Sequence, residues 1–418
     1  MLSEENGLSG VETFSSVGYD ASRNSRRVGD RTKVWDFDFL WSERHMFPEQ
    51  LEPLRQVGDP LADECMKALD VKPGSDALDI IGSYLSQPIC EQCSKAPRIF
   101  QENITTVPEW VDWDLIHQGQ NVYWTYSGPI NVILLHYSLA GGFSAPRITK
   151  TLTCTKYFTS PDQSYRRLFE TLQFVIYCMK GTEALRCMTG VGWQSTIRVR
   201  LLHTQVRLRI LSLAHSHPNY YSVQENGIPI NQEDSMSTLC AFSICVIMGM
   251  ERMGISLTRE EVNAYLHLWR LIGYYMGILP SNDPLKSRED AMAAFESFVN
   301  HLVYPDEVSA AMTRSILAAV ADKAPMRWSL DFHSAICRAL LGDALSDALK
   351  IEKSNWKNRL RVTALFATFR WCLMRKPSWF LPHWIRLSRD YTSRMVQSRT
   401  SSLPCDFTLQ MVPAVALN

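Results

Sequence analysis

The chain has 418 residues, 46% apolar and 21% charged, and its 43 basic and 43 acidic side chains leave no formal net charge. Length alone suggests two to three units of ordinary size, and the composition excludes a disordered, collagen-like or coiled-coil chain. The lack of a basic excess argues against nucleic acid as a partner.

Residues 1–33 are rich in Ser, Gly and Arg and read as a loose leader with no secretory or lipidation pattern. Residues 34–104 read as a helical and aromatic extension, in which Trp35, Phe37, Phe39, Leu40 and Trp41 are expected to tether the leader to the body. No apolar signal opens the chain, so its 11 cysteines are expected as free thiols in a reducing compartment. Cys90 and Cys93 form a CxxC, but no second pair accompanies them, and they read as two incidental loop thiols. The stretch 116–146 lacks charge yet carries Gln118, Gln120, Asn121, Asn131 and His136, which a lipid-facing helix tolerates poorly. No spanning segment is expected.

Ser160-Pro161-Asp162 predicts a helix start and Gly181 its stop. Further helices are expected over about 195–213 and 234–253, then from Thr258, which makes a capping box with Glu261, to about Gly277. Two more follow, one from Ser287 and one over 308–322. Strand signals are weak throughout. The fold class read from this is all-α, a single large helical domain.

The chain has no P-loop, no GxGxxG after a strand, no HExxH and no GxSxG elbow. An enzyme built this way must borrow its chemistry from a cofactor held between helices. Val199, His203, Val206, Ile210 and Leu213 share one helical face, so His203 lies in an apolar stripe with Arg200 and Arg207 alongside. That arrangement suits a haem, with the imidazole on iron and the cations on propionates; a satisfied core histidine beside surface arginines has the same pattern. Arg167 and Thr171, four apart, run into Phe174 and Cys178 like a pocket wall with a few placed donors, with Glu170 beside them. An ion-paired helix edge would also look this way. His215-Ser-His217 reads as a loop feature before Pro218.

Six pieces occur in a fixed order: PEWVDWDLIHQGQ (108–120), LLHYSLAGGFSAPRI (134–148), RRLFET (166–171), GVGWQSTIRVRLLHTQVR (190–207), GIPINQED (227–234) and GMERMGISLTREEVNAYLHLWRLIGYYMGI (249–278). Together they resemble the family that joins latex-clearing rubber oxygenases to the endoplasmic-reticulum-bound oxygenase of mycophenolic acid biosynthesis. The resemblance covers roughly residues 105–345, the expected catalytic domain, and leaves 346–418 as a basic amphipathic extension. It implies a globin-like core around one haem b and oxidative cleavage of an isoprenoid C=C bond by O2 to carbonyl products. By the same resemblance His203 is the axial iron ligand, and Arg167 and Thr171 are the pocket pair; Arg147 and Thr151 show the same spacing further from His203 and rank second. Rubber oxygenases carry a Lys just before the pocket Thr, where this chain has Glu170, a candidate proton acceptor in place of a distal ligand. Thr155-Lys156-Tyr157 also departs from a Thr-Gly found in relatives.

Residues 353–394 hold ten basic side chains against one acid, Asp390, interleaved with aromatics such as Trp356, Trp371, Trp379 and Trp384. Cations among aromatics suit the headgroup region of a bilayer, so a membrane surface is a candidate partner beside O2 and a prenylated, hydrophobic small molecule. The expected location is cytoplasmic, or peripheral on the cytosolic face of the endoplasmic reticulum. Two other readings stay open: a helical protein that binds a hydrophobic ligand or partner without turnover, and an enzyme of another cofactor class.

Overall fold

Ser160 accepts a hydrogen bond from the Gln163 amide and Pro161 opens the helix behind it, so the start read from the sequence is the start that forms. The same holds at Thr258 and Glu261, whose side chains close a reciprocal capping box. The computed structural model describes residues 23, 25–69, 71, 75–88, 94–155, 160–324, 326–374 and 378–400. Most of the leader, Cys90 and Cys93, and Lys156-Tyr157 lie outside them.

Two short antiparallel strands, β1 (Arg31–Val34) and β2 (Phe37–Leu40), come first. Helices α1 (Pro48–Leu54), α2 (Pro60–Ala68), α3 (Ala77–Leu85) and α4 (Ala96–Thr105) follow, and then α5 (Trp113–Thr125) and α6 (Ser127–Ile133). A π-helical turn, Leu134–Leu139, leads through α7 (Ala140–Gly142) to α8 (Pro146–Cys154). The two long helices α9 (Pro161–Cys178) and α10 (Val191–Ser216) are succeeded by α11 (Val223–Asn226), α12 (Gln232–Phe242), α13 (Ile244–Arg252) and α14 (Arg259–Tyr275). The chain continues through α15 (Arg288–Leu302), α16 (Glu307–Val320), α17 (Leu330–Leu341), α18 (Asp343–Ala348), α19 (Trp356–Met374) and α20 (Leu381–Thr400).

The fold is all-α apart from the β1–β2 hairpin, which the sequence did not announce. Its two-residue turn places Trp35 at φ 56°, a position that usually takes Asn or Gly. Burial outweighs that local cost: Val34, Phe37, Phe39 and Trp41 are all buried, and Phe37 meets the edge of Phe295 on α15 at 5.5 Å. The aromatic tether expected at 35–41 is therefore a docked hairpin, with Leu40 pointing outward.

The single helix expected over 234–253 is two. The backbone breaks at Ser243 (φ −113°, ψ −88°), whose hydroxyl donates back to the Leu239 carbonyl at 2.7 Å. Gln232–Arg252 as a whole is long and apolar enough to cross a membrane by composition, but 67% of that window is buried inside the protein. α5 and α14 pack closely because Gly119 brings its backbone against the Ala264 carbonyl, where a Cβ would collide. One continuous apolar core runs from Val34 through to Val396, so the N-terminal hairpin and the C-terminal helices share it. A smaller cluster of Cys154, Leu202, Val206, Ile210 and Tyr221 flanks the inner face of α10. Among the described residues every cysteine is a free thiol.

Candidate functional site

α9 and α10 pack against each other, and both turn one face to a cavity of about 1000 Å³. That is the upper end of the size of small-molecule pockets, ~300–1,000 Å³, and the walls are overwhelmingly apolar. The floor comes from the π-helical turn and α12, and one side from α19 and α20 through Phe369, Leu373, Trp384 and Met395.

Val199, His203 and Val206 of the stripe that helical spacing predicts line the cavity together with Leu202, whereas Ile210 packs in the smaller cluster and Leu213 is not in the wall. The His203 imidazole is pushed down to about 4, first by burial, then by the charges of Arg207 and Arg167, with Asp59 opposing. It is neutral at pH 7 and presents a lone pair. Arg167, Glu170 and Thr171 line the same cavity from α9, so the four residues singled out on the two helices meet in one space. Glu170 sits between two guanidinium groups, 2.8 Å from Arg166 and 2.7 Å from Arg167. Both its oxygens are engaged, and its evident effect is to hold Arg167 against the cavity wall. The Thr171 hydroxyl donates to the Arg167 carbonyl one turn back at 3.0 Å, so its oxygen keeps its lone pairs as acceptors.

Arg200 and Arg207, expected from the sequence as cofactor partners, are not among the groups that line the cavity, and each is paired with a carboxylate. Arg200 grips Asp59 through Nε at 2.5 Å and Nη2 at 3.0 Å, and reaches Asn103 at 3.1 Å. Arg207 grips Asp63 through Nε and Nη2 at 2.9 and 2.7 Å and donates to the Ile230 carbonyl at 2.9 Å. Both guanidinium groups are buried, and their carboxylate partners belong to the start of α2; neither lines the cavity. Of the second-ranked pair, Thr151 lines the cavity and Arg147 does not; Arg147 lies 3.6 Å from Glu52.

Several cavity groups went unnoticed in the sequence. Asp234, at the start of α12, lines the wall with its carboxyl raised to about 7, by burial first and then by the neighbouring Glu233. It accepts from the Asn231 side chain at 3.0 Å. Tyr165 and Tyr137 also line the cavity, and among the described residues neither hydroxyl has a hydrogen-bond partner. Lys323 contributes a cation to the wall, 5.7 Å from the Tyr165 ring. Two of them carried a sequence signal, Asp234 as the last residue of the GIPINQED piece and Tyr137 within LLHYSLAGGFSAPRI.

The fit to a haem can be judged on these groups. Among the described residues no three His, Cys, Asp or Glu side chains converge to hold a bare metal ion, but an iron already in a porphyrin needs only an axial donor. The neutral imidazole of His203 has the lone pair that such a donor needs. Lys323 and the unpaired Tyr165 hydroxyl in the wall suit the carboxylates of such a group. The residues present fit the group.

Three comparisons bear on the identity. Residues 124–371 match the family described as ER-bound oxygenase mpaB/B'/Rubber oxygenase, catalytic domain. The chain is similar to the rubber oxygenase of Streptomyces sp. (strain K30), at 22% identity over 284 residues, covering 67% of each chain. Its fold is similar to the solved structure of latex clearing protein in the closed state, with a TM-score of 0.61 at 19% identity over 80% of this chain and 91% of that one. With more than half its length inside the family profile, this chain belongs to the ER-bound oxygenase/rubber oxygenase catalytic-domain family.

Proposed function

We propose that the protein is a haem b-dependent oxygenase that cleaves a C=C bond in the prenyl chain of a hydrophobic small molecule with O2, giving carbonyl products. The observation that carries this reading is the cavity-facing, neutral His203 opposite Arg167 and Thr171 in a large apolar space. His203 would hold the haem, and Lys323 and Tyr165 in the cavity wall would receive its carboxylates. When bound, the haem supplies the O2 chemistry.

The chain's own residues do the rest. The apolar walls hold the prenyl chain and keep water away, which strengthens every polar contact inside. Arg167, clamped by Glu170, is a fixed cationic donor, of the kind that stabilises negative charge developing on oxygen. The Thr171 oxygen offers acceptors to the same space. Asp234, with a carboxyl that titrates near neutrality, is suited to take up or return a proton at its carboxylate oxygen. Glu170, the proton acceptor expected from the sequence, is assigned the positioning of Arg167.

The visible spectrum of the purified protein tests the reading: a Soret band and about one haem per chain are expected. His203→Ala should lose the haem or change the spectrum. A His203→Ala protein with full haem and an unaltered spectrum would overturn the axial assignment. A wild type that takes up no haem when supplied with it would leave a ligand-binding protein without turnover.

A further inference from the structure

A second polar group sits in the cavity wall, formed by two histidines that the proposed reaction does not use. His136 lies in the π-helical turn Leu134–Leu139 and His333 on α17, and their rings stack with centroids 5.1 Å apart. π-helical turns are uncommon and concentrate at functional sites. Nδ1 of His136 is 2.8 Å from the carbonyl oxygen of Val132, and Nε2 of His136 is 2.8 Å from Nδ1 of His333. Both residues line the cavity.

The protons in this chain are fixed by elementary valence. A carbonyl can only accept, so the hydrogen of His136 must be on Nδ1. A neutral His136 then has a bare Nε2, which accepts, and the hydrogen of His333 must be on its Nδ1. The neutral form is the stable one. Burial first, then the facing ring, holds His136 down to about 3, and burial holds His333 at about 4 despite the opposing charge of Asp322. The last atom of the relay, Nε2 of His333, is therefore an acceptor with no proton. Among the described residues it has no hydrogen-bond partner. Trp328 packs edge-on against the same ring at 5.7 Å and fixes its plane.

We infer that Nε2 of His333 is a recognition site for a hydroxyl group on the ligand, an alcohol or phenol carried by the apolar chain. A purely hydrocarbon substrate would leave this acceptor unpaired in an apolar wall, which is costly. A hydroxyl-bearing one satisfies it, and is thereby held in one direction along the cavity. The inference rests on the isoprenoid reading above and adds the polar end of the molecule to it.

The test compares farnesol with farnesyl methyl ether, which has the same chain but no O–H donor. Their Kd values are read from quenching of the intrinsic tryptophan fluorescence of the full chain. Wild type is expected to bind the alcohol about tenfold more tightly, the ratio of one neutral hydrogen bond. His333→Phe should bring that ratio to about one by weakening the alcohol alone. Equal binding of the two by wild type, or a ratio that survives in His333→Phe, overturns the assignment while leaving the isoprenoid reading intact. Binding of neither probe overturns both. The relay is also read without any variant, in protein labelled with 15N-histidine: a coupling across the N–H···N bond identifies the pair, with both protons on Nδ1. A proton on Nε2 of His333 would refute the inference by itself.

Discussion

The structural role of the Arg200–Asp59 pair can be tested by energy. Its side chain is 4% exposed and that of Asp59 9% exposed. Asp59→Asn keeps the shape of the carboxylate, and also a side-chain oxygen to cap α2, where Asp59 accepts from the Ala62 amide at 3.2 Å. What it removes is the charge opposite a guanidinium that cannot reach water. Breaking one side of a buried pair in this way costs about 3–5 kcal/mol. Asp59→Ala additionally loses the cap, for about 1 kcal/mol more. Replacing both partners together, as in Asp59→Asn with Arg200→Met, should recover part of the loss, because no buried charge is then left unpaired. Urea denaturation followed by circular dichroism measures all three, and haem content is measured on the same samples. The argument predicts large losses of stability with unchanged haem content per folded molecule. An Asp59→Asn protein within about 1 kcal/mol of wild type would refute it, and so would a stable Arg200→Met protein that binds no haem, since that is the behaviour of a propionate partner.

Arg167→Ala and Thr171→Ala should keep the fold and most of the haem yet lose on the order of 10²-fold in turnover of a prenyl substrate; wild-type rates in both would move the search to Thr151. Stability should rise with pH from about 4.5 to 6.5. His136, His203 and His333 have folded pKa values lowered to about 3, 4 and 4, so below about 6.5 the unfolded chain binds protons that the folded one refuses. Asp234, raised to about 7, opposes this: its contribution is present at low pH and fades as pH climbs through 7. Glu52, lowered to about 2, contributes above its ordinary value and loses that share as pH falls toward 2. Three groups against one leave the histidines in control, and denaturation midpoints that fall between pH 4.5 and 6.5 would contradict the assignment. Finally, Trp356, Leu360, Trp371 and Trp379 are exposed on α19 and the turn before α20, alongside exposed Lys353, Lys357, Arg359 and Arg370. The full chain should therefore float with anionic liposomes at low salt and release at high salt, each cation near the surface adding roughly 1 kcal/mol; failure to float at any salt would end the membrane-surface proposal.

What could and could not be read from the sequence divides along one physical line. Spacing along a single helix is written in the chain, so His203 and its apolar neighbours came out on the face that lines the cavity, and Arg167 with Thr171 on another wall of it. Helix ends with side-chain caps were equally plain at Ser160 and Thr258. The partners of a side chain are not local, and the ion pairs of Arg200 and Arg207 could not be read. At −3 and +4 from His203 they flank it on the helix surface, but each is held by a carboxylate 141 or 144 positions earlier in the chain. Once Asp59 and Asp63 occupy them, they have no reason to enter an apolar cavity. The break at Ser243 was hidden for a related reason: no Gly or Pro marks it, and tertiary packing of α12 and α13 decides it. The His136–His333 relay lies furthest from a sequence reading, because it joins two lone histidines 197 positions apart. Each alone is an ordinary buried imidazole, and only their contact, with the Val132 carbonyl fixing the first proton, turns the second, a cavity-lining residue, into an acceptor.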